Sequence, residues 1–116
     1  MGISDRPDRP SHEVAAYLKA AGYRIIPVNP VLAGREILGE RCVASLPEIE
    51  GGVDIVDVFR RAEAVPEAMD AALQIDAPLV WLQLGIVHEE AATRARAAGR
   101  TVVQDRCIKI EHARLL

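Results

Sequence analysis

The sequence has little of what metal sites, membrane segments and nucleic-acid-binding surfaces require. Its two cysteines, Cys42 and Cys107, make no spaced pair of the kind that metal sites use, so free thiols are expected. The longest mainly apolar run, from Pro78 to Leu84, is far too short to span a bilayer, and the first residues do not resemble a signal peptide because they are polar and charged. The formal net charge of -3 argues against binding nucleic acid phosphates or an anionic membrane through bulk charge. We therefore expect a soluble, cytoplasmic protein without nucleic acid or membrane partners.

The length of 116 residues and the hydrophobic fraction of 50% predict a single globular domain over residues 1–116. The first clear element is a helix that begins at Ser11, interpreted as its N-cap, and ends at Gly22. Apolar residues recur along it at helical spacing. The run YRIIPVNP then predicts a strand at residues 23–29 that ends in the turn signal Asn29-Pro30.

The remaining patterns alternate between strands and helices. Residues 31–52 are expected to form a long connection with a short strand near 40–44 and a helical turn near Leu46. Further strands are predicted at 53–59, 78–84 and 100–104. They alternate with a helix whose first turn contains Pro66, a helix over 87–98 that buries alanine, and a closing helix in the tail; the expected buried positions are Val65, Met69, Leu73, Ala91, Ala95 and Ala98.

Apolar strands that do not alternate with polar residues and are separated by helices indicate a parallel sheet covered on both faces. The predicted fold class is therefore a three-layer, doubly wound α/β domain. Ligands of such sheets bind beyond the carboxyl ends of the strands. The residues that follow the predicted strands are therefore candidate binding residues: Asn29, Pro30, Phe59, Arg60, Gln83, Gly85, Asp105, Arg106 and Cys107.

The opening stretch GISDRPDRPS has the composition of a turn that joins a strand to a helix. A helix N-terminus carries about half a positive charge and attracts phosphate, and glycine lets a phosphate approach the main chain. Arg6 and Arg9 add charge at the same place. The spacing matches neither the dinucleotide fingerprint nor the P-loop. By itself, the stretch is more typical of a solvated loop before an ordinary capped helix.

Six segments in order resemble the signature segments of small bacterial CoA-binding proteins: GISDRPDRPSHEVAAYL, YRIIPVNP, ILGERCVASLPEI, VDIVDVFRR, WLQLGI and QDRCIKIEH. That family has a Rossmann-like domain similar to the CoA-binding domain of the succinyl-CoA synthetase alpha subunit. The resemblance covers nearly the whole chain. It implies a domain that binds coenzyme A or an acyl-CoA.

The resemblance also implies roles for individual residues. Gly2, Ser4 and the N–H groups near Ser11 would take the pyrophosphate, with Arg6 or Arg9 assisting. The strand-end residues would line the rest of the cleft. An apolar slot for adenine could come from Val28 and Pro30, and a cation for the phosphorylated ribose could come from Arg24, Arg35 or Arg60.

The chain departs from the family pattern at its start. Members begin with a strand of the type V-A-V-V-G-x-S, whereas here Met1 stands directly before Gly2. The family's strand order 3-2-1-4-5 places that strand in the middle of the sheet, between the strands predicted at 23–29 and 78–84. Its loss would expose two backbone edges and about five apolar side chains, each worth roughly 1.5 to 3 kcal/mol when buried. We therefore expect a start upstream, or a partner chain or homo-oligomer that supplies the strand.

Cys107 could be a reactive thiol that forms a mixed disulfide with CoA, but a small buried residue at a strand end is the simpler interpretation. The histidines, His12, His88 and His112, have no ligand spacing and indicate no metal site. In the related synthetases, catalysis requires a phosphorylated histidine in a second domain, which these residues do not include. We therefore expect binding without catalysis.

Three other functions remain open at this level. A nucleotide-dependent oxidoreductase or acyl transferase could use the same cleft, although Asn29 stands where a dinucleotide enzyme would have an acidic residue. An interaction subunit with a vestigial pocket would tolerate the lost strand. A phosphoacceptor receiver domain could use Asp54 or Asp57, but the acidic pair Asp5 and Asp8 and the base Lys109 are poorly spaced for it.

Overall fold

A computed structural model of the protein describes residues 1–3, 6, 9–49 and 51–115. Its regular elements follow the alternation expected from the sequence. In chain order they are α1 (Pro10–Ala20), β1 (Glu36–Ile37), β2 (Glu40–Arg41), a one-turn 3-10 helix (Leu46–Glu48), β3 (Ile55–Val58), a second 3-10 turn (Ala62–Ala64), α2 (Val65–Gln74), β4 (Leu79–Leu82), α3 (Glu89–Ala97), β5 (Thr101–Val103) and α4 (Ile108–Leu115).

A three-stranded parallel sheet in the order β3-β4-β5 forms the centre of the domain. Val56 of β3 lies opposite Val80 of β4, and Val80 lies opposite Val102 of β5. All three side chains are buried. Parallel strands covered on both faces are rich in β-branched residues, which explains why these segments lack polar alternation.

Helices cover both faces of the sheet. On one face, the even-numbered residues of β3 and β4 pack against Met69 of α2 and Ala92 of α3, which are fully buried. On the other face, Leu18 of α1 and Ile108 of α4 pack with the half-buried Trp81. The predicted doubly wound α/β class is confirmed.

The first helix begins one residue earlier than the sequence interpretation placed it. Pro10 occupies the first helical turn and Arg9 is the N-cap, so Ser11 lies inside the helix and the prediction that it is the N-cap was wrong. Proline favours the first helical position because it has no N–H to leave unpaired and its φ is already helical. The predicted stop at Gly22 is confirmed by its φ of +103° just after the helix.

The segment predicted as a strand at 23–29 does not form a regular strand. Among the described residues its ladder consists of one parallel bridge, between Val28 and Val43. The Val43 N–H donates to the carbonyl of Pro27 at 3.0 Å, and the Asn29 N–H donates to the carbonyl of Val43 at 2.9 Å. Residues 23–28 are called the 23–28 segment below.

The position of β3 corrects the expected strand order. The expected order separated 53–59 from 78–84, whereas β3 and β4 are direct neighbours. The bridge between Val28 and Val43 explains the difference. Val43 occupies the side of the 23–28 segment on which the strand at 53–59 was expected. A cavity of about 550 Å³ is lined on one side by Ile25 and Val28 of the 23–28 segment and on the other by Ile55 of β3.

The region expected as a long connection contains an antiparallel hairpin, β1–β2, closed by Leu38 and Gly39. Both turn residues have positive φ, 53° and 81°, as a type I′ turn requires. The helical turn expected near Leu46 is confirmed, and Ser45 and Glu48 form a capping box around it.

The helix expected over 87–98 is α3, capped by the His88 side chain, which accepts a hydrogen bond from the Ala91 N–H at 3.1 Å. Ala91 and Ala95 are buried as expected, but Ala98 is exposed because it lies beyond the last helical turn. Ala92 is buried instead.

Candidate functional site

A cleft of about 450 Å³ opens between residues 1–3, called the opening turn below, and the N-terminus of α1. It brings together the opening turn, the start of a helix and the carboxyl end of β3. Its lining residues are Gly2, Arg6, Arg9, Pro10, Ser11 and Phe59.

At Gly2 the opening turn lies so close to the end of β3 that a side chain would not fit between them. Its φ is +79°, and a β-carbon built on it would lie 2.7 Å from the Phe59 carbonyl oxygen. Backbone hydrogen bonds fix this approach: the Gly2 N–H donates to the Val28 carbonyl at 2.9 Å, and the Phe59 N–H donates to the Met1 carbonyl at 3.0 Å. Glycine is therefore required both for its backbone conformation and for space.

The cleft is electropositive at its helical wall. Arg6 and Arg9 are exposed there, and the N-cap residue Arg9 makes no side-chain capping bond to the first turn of α1. The helix N-terminus adds about half a positive charge. Two guanidinium groups and a helix N-terminus at one cleft suit an anion with several oxygens, such as a phosphate.

Two of the arginines expected as partners of a phosphorylated ribose differ in position. The Cγ of Arg60 would lie 3.0 Å from a β-carbon on Gly2, so this side chain borders the cleft. The Arg24 Nε lies 3.5 Å from a carboxylate oxygen of Glu40, on the hairpin side of the domain. The geometry favours Arg60 over Arg24 for a ligand in the cleft. The third candidate, Arg35, is exposed in the loop before β1.

Asn29 supports the opening turn from the adjacent segment. Its Nδ2 donates to the Ile3 carbonyl at 2.8 Å, and its Oδ1 accepts a hydrogen bond from the Val31 N–H at 2.9 Å. Both ends of the amide are thus used within the protein, which assigns Asn29 a positioning role. Pro30 is exposed beside it.

The candidates after β4 and β5 form a connected loop pair. The Gly85 N–H donates to Oδ1 of Asp105 at 2.7 Å, and the indole Nε1 of Trp81 donates to the Arg106 carbonyl at 2.7 Å. Cys107 is half-buried and packs against the cluster formed by Val14, Leu18 and Ile108. These contacts link the two strand ends, but the loop pair is not part of the cleft lining.

Gln83 is buried and pairs with a carboxyl group that the sequence analysis weighed only as a phosphoacceptor. Its Nε2 donates to Oδ1 of Asp57 at 2.6 Å. Burial raises the pKa of Asp57 from 3.8 to about 6, while the hydrogen bond from Gln83 and the charge of the Met1 amino group act in the opposite direction. The structure therefore places a carboxyl group with a raised pKa, about 6, next to the opening turn.

Of the predicted site residues, the cleft brings together Gly2, Arg6, Arg9, Ser11 and Phe59, with Arg60 beside it. Ser4 lies outside the described residues. Sequence reasoning missed Pro10 as a lining residue, although its place before Ser11 was a signal for the helix start. The ligand contacts of all these residues stay predictions.

Among the helices of the described residues, none has the length and apolar run that crossing a membrane requires.

The sequence and the fold are both similar to known proteins. Residues 1–113 match the profile of the family described as CoA binding domain. A 113-residue stretch is 51% identical to the uncharacterized protein YneT of Bacillus subtilis (strain 168), covering 97% of this chain and 82% of that protein.

Solved structures with the same fold include "cell-free ID.343" from Thermus thermophilus. It has a TM-score of 0.97 and 45% identity, over 100% of this chain and 87% of that chain. A hypothetical protein from Pyrococcus horikoshii OT3 has a TM-score of 0.93 and 35% identity, over 98% of this chain and 79% of that chain. A dinucleotide-forming acetyl-coenzyme A synthetase 1 from Ca. Korarchaeum cryptofilum has a TM-score of 0.77 at 18% identity, over 90% of this chain and 24% of that chain, a likeness of fold alone.

Proposed function

This chain belongs to the CoA binding domain family, and we propose that its cleft at the N-terminus of α1 binds coenzyme A or an acyl-CoA. One observation carries the proposal. Gly2, Arg6, Arg9 and the start of α1 line a single cleft of about 450 Å³. That combination offers a phosphate close access to the main chain and positive charge from two sources.

The diphosphate is the part of CoA that this geometry fits best. Backbone N–H groups of the first turn and the guanidinium groups of Arg6 and Arg9 would hold its oxygens. Arg60 is the candidate for the ribose phosphate because it borders Gly2. Phe59 supplies an apolar wall for a less polar part of the ligand.

We further propose that binding occurs without catalysis. Among the described lining residues, Ser11 alone carries a nucleophilic side chain, and no histidine or carboxylate lines the cleft with it. A serine hydroxyl is a weak nucleophile unless such a base within hydrogen-bond reach activates it. The proposed role is therefore to hold the cofactor or its acyl ester.

A thermal unfolding titration with CoA, acetyl-CoA, 3′-dephospho-CoA and NAD tests the proposal. A ligand at 100 times its dissociation constant adds about 2.7 kcal/mol to the stability of the folded state, which raises the melting temperature by several degrees. We expect CoA and acetyl-CoA to stabilise the protein and NAD not to. Weaker stabilisation by 3′-dephospho-CoA would indicate recognition of the ribose phosphate.

Two outcomes contradict the proposal. Stabilisation by NAD equal to that by CoA would favour a nucleotide-dependent oxidoreductase. A cooperative melt that no ligand shifts would favour an interaction subunit with a vestigial pocket. Hydrolysis or transfer of the acyl group of acetyl-CoA, followed by release of free thiol, would contradict the non-catalytic part alone.

A further inference from the structure

A polar pair lies in the sheet directly behind the candidate cleft. Oδ1 of Asp57 on β3 accepts a hydrogen bond from Nε2 of Gln83 at 2.6 Å. Gln83 is 4% exposed and Asp57 is half-buried. Within β3, β4 and β5, all of which the structure describes, Asp57 is the one charged side chain. A carboxylate at such a place is unfavourable when it is charged, so its protonation state is sensitive to its surroundings.

Asp57 is close to the wall of the cleft. Asp57 and the cleft residue Phe59 are two positions apart along extended backbone, so their side chains project to the same face, about 7 Å apart along the strand. Phe59 and Ser11 line both the cleft and the larger cavity that Asp57 lines. The carboxyl group is therefore within the distance over which a charge acts on a ligand in the cleft.

Backbone contacts fix Asp57 relative to the opening turn. The Met1 amino group donates to the Asp57 carbonyl at 2.7 Å, and the Phe59 N–H donates to the Met1 carbonyl at 3.0 Å. The Phe59 carbonyl oxygen is the atom that a β-carbon on Gly2 would approach to 2.7 Å. Asp57, the opening turn and the cleft wall are thus connected, and a change of charge at Asp57 acts across a short, fixed distance.

The Met1 amino group is the charged group that acts on Asp57 directly. That amino group is influenced in turn by Cys42 and Arg60. The other ionisable side chains that line the larger cavity are exposed or engaged with other residues: Asp54 is exposed, Arg24 pairs with Glu40, Glu111 with Arg114, and His112 contacts Tyr17 and Tyr23.

We propose that Asp57 and Gln83 form a proton-binding site coupled to the cleft, so that an anionic ligand binds more tightly when the Asp57 carboxyl is protonated. This inference rests on the proposed binding of CoA through its diphosphate. A charged carboxylate repels the diphosphate from behind the cleft wall, and protonation removes that repulsion. Because linkage is reciprocal, binding of the diphosphate favours protonation of the carboxyl by the same factor.

The protonation of Asp57 falls in an accessible pH range. Burial raises the pKa of Asp57 to about 6, against the opposing effects of the Gln83 amide and the Met1 amino group. Without ligand, the carboxyl is therefore mostly charged at pH 8 and mostly protonated at pH 5. A fall in pH through about 6 should change the cleft from its weaker to its stronger binding state.

Calorimetric titration of the 116-residue chain with 3′-dephospho-CoA between pH 5 and pH 8 tests the proposal. This ligand keeps the diphosphate and lacks the ribose phosphate, whose second proton is lost near pH 6 and would obscure the effect. We expect about fivefold tighter binding at pH 5 than at pH 8. The same factor of five should raise the titration midpoint of the Asp57 carboxyl, followed by carbon NMR, by about 0.7 on the pH scale when the ligand is bound.

Asp57→Asn and Asp54→Asn are matched variants that each remove one carboxylate. Asp57→Asn keeps an oxygen acceptor for Gln83. It should bind about fivefold more tightly than the unaltered chain at pH 8, a gain that damage to the fold would not produce. Any pH dependence left in Asp57→Asn measures the Met1 amino group. The exposed Asp54→Asn should keep the profile of the unaltered chain.

Gln83→Met tests the second member of the pair. The substitution keeps an unbranched side chain of similar length and removes the amide that favours the charged carboxylate. We expect the midpoint of the binding profile to move to higher pH. An unchanged midpoint would assign Gln83 a packing role alone and would remove it from the proton site.

The proposal is overturned if Asp57→Asn keeps the pH profile of the unaltered chain. It is also overturned if Asp57→Asn binds more weakly at pH 8, which would make Asp57 a structural support of the opening turn. Both results would leave ligand binding itself intact. If CoA alone binds measurably, its affinities for the two chains are compared at each pH, because its ribose phosphate contributes equally to both. Absence of binding of either ligand at every pH would contradict the proposed function, and the coupled proton site with it.

Discussion

Gly2 and Phe59 approach each other so closely that a β-carbon on Gly2 would lie 2.7 Å from the Phe59 carbonyl oxygen. Gly2→Ala must therefore displace the opening turn as well as strain its φ of +79°. We expect a loss of stability of about 2 kcal/mol and at least tenfold weaker CoA binding, measured by urea unfolding and calorimetry. Gly51→Ala is the control: its φ is +87° but no atom lies within 4 Å of the added carbon. Equal effects of the two substitutions would show that the close approach has no role.

Arg6 and Arg9 should contribute to CoA affinity through charge. We expect Arg9→Gln to weaken binding about tenfold at low salt, since one charge-assisted contact contributes roughly 1.5 to 3 kcal/mol before screening. Arg6→Gln should act in the same direction, and both losses should shrink at high salt. The control is Arg94→Gln on α3, which removes a positive charge paired with Asp70 at 2.7 Å on the opposite face. Affinity that falls equally in the control would reflect net charge and not the cleft.

The Asp57 carboxyl should make stability depend on pH. Its pKa is about 6 in the folded protein and 3.8 as the ordinary value, so the folded state holds the proton more tightly. Protonation of Asp57 therefore stabilises the folded state by an amount of the order of 3 kcal/mol, which is fully present below about pH 4 and is lost as the pH rises through about 6. Asp57→Asn keeps an acceptor for Gln83 and should abolish that part of the slope, measured by urea unfolding between pH 4 and pH 7. The exposed Asp54→Asn should retain it; an unchanged slope in Asp57→Asn would contradict the assignment.

The hydrogen bond between the Gly85 N–H and Asp105 should hold the two strand-end loops together. Asp105→Ala removes the acceptor and should cost about 1 kcal/mol of unfolding free energy, with faster exchange of the Gly85 amide. Asp105→Asn retains an oxygen acceptor and tolerates the φ of 55°, so it should restore most of the protection. If alanine and asparagine behave alike, the bond does not stabilise the loops. CoA affinity in these variants also tests whether the loop pair contacts the ligand.

The central part of most helices and strands could be predicted from the sequence because it depends on local chemistry. Pro66 in a first turn, Gly22 and Gly99 after helices, and apolar strands without alternation each act within a few residues. The hairpin at Leu38 and Gly39 was missed because its local signal is weak. Leucine is unusual in a type I′ turn, and the turn has no Asn-Gly pair.

Strand order depends on contacts between distant residues, so the local pattern could not determine it. Val28 pairs with Val43 at one edge and accepts from Gly2 at the other. Neither pairing can be predicted from the run YRIIPVNP itself. The cleft was predictable in part, since Gly2, Arg6 and Arg9 are adjacent in sequence, whereas the contact with Phe59 needs the folded sheet.

The hydrogen bond from Phe59 to Met1 has a consequence for the order of folding. Strands β3 to β5 and helices α2 and α3 are contiguous in the chain and can assemble through short loops. The contact between Met1 and Phe59, in contrast, closes a loop over residues 1–59, at an entropic cost that rises with loop length. We therefore expect this contact to form after strands β3 to β5 have paired. The cleft beside Gly2 would be completed in that step, so the proposed ligand binding would report that this step has taken place.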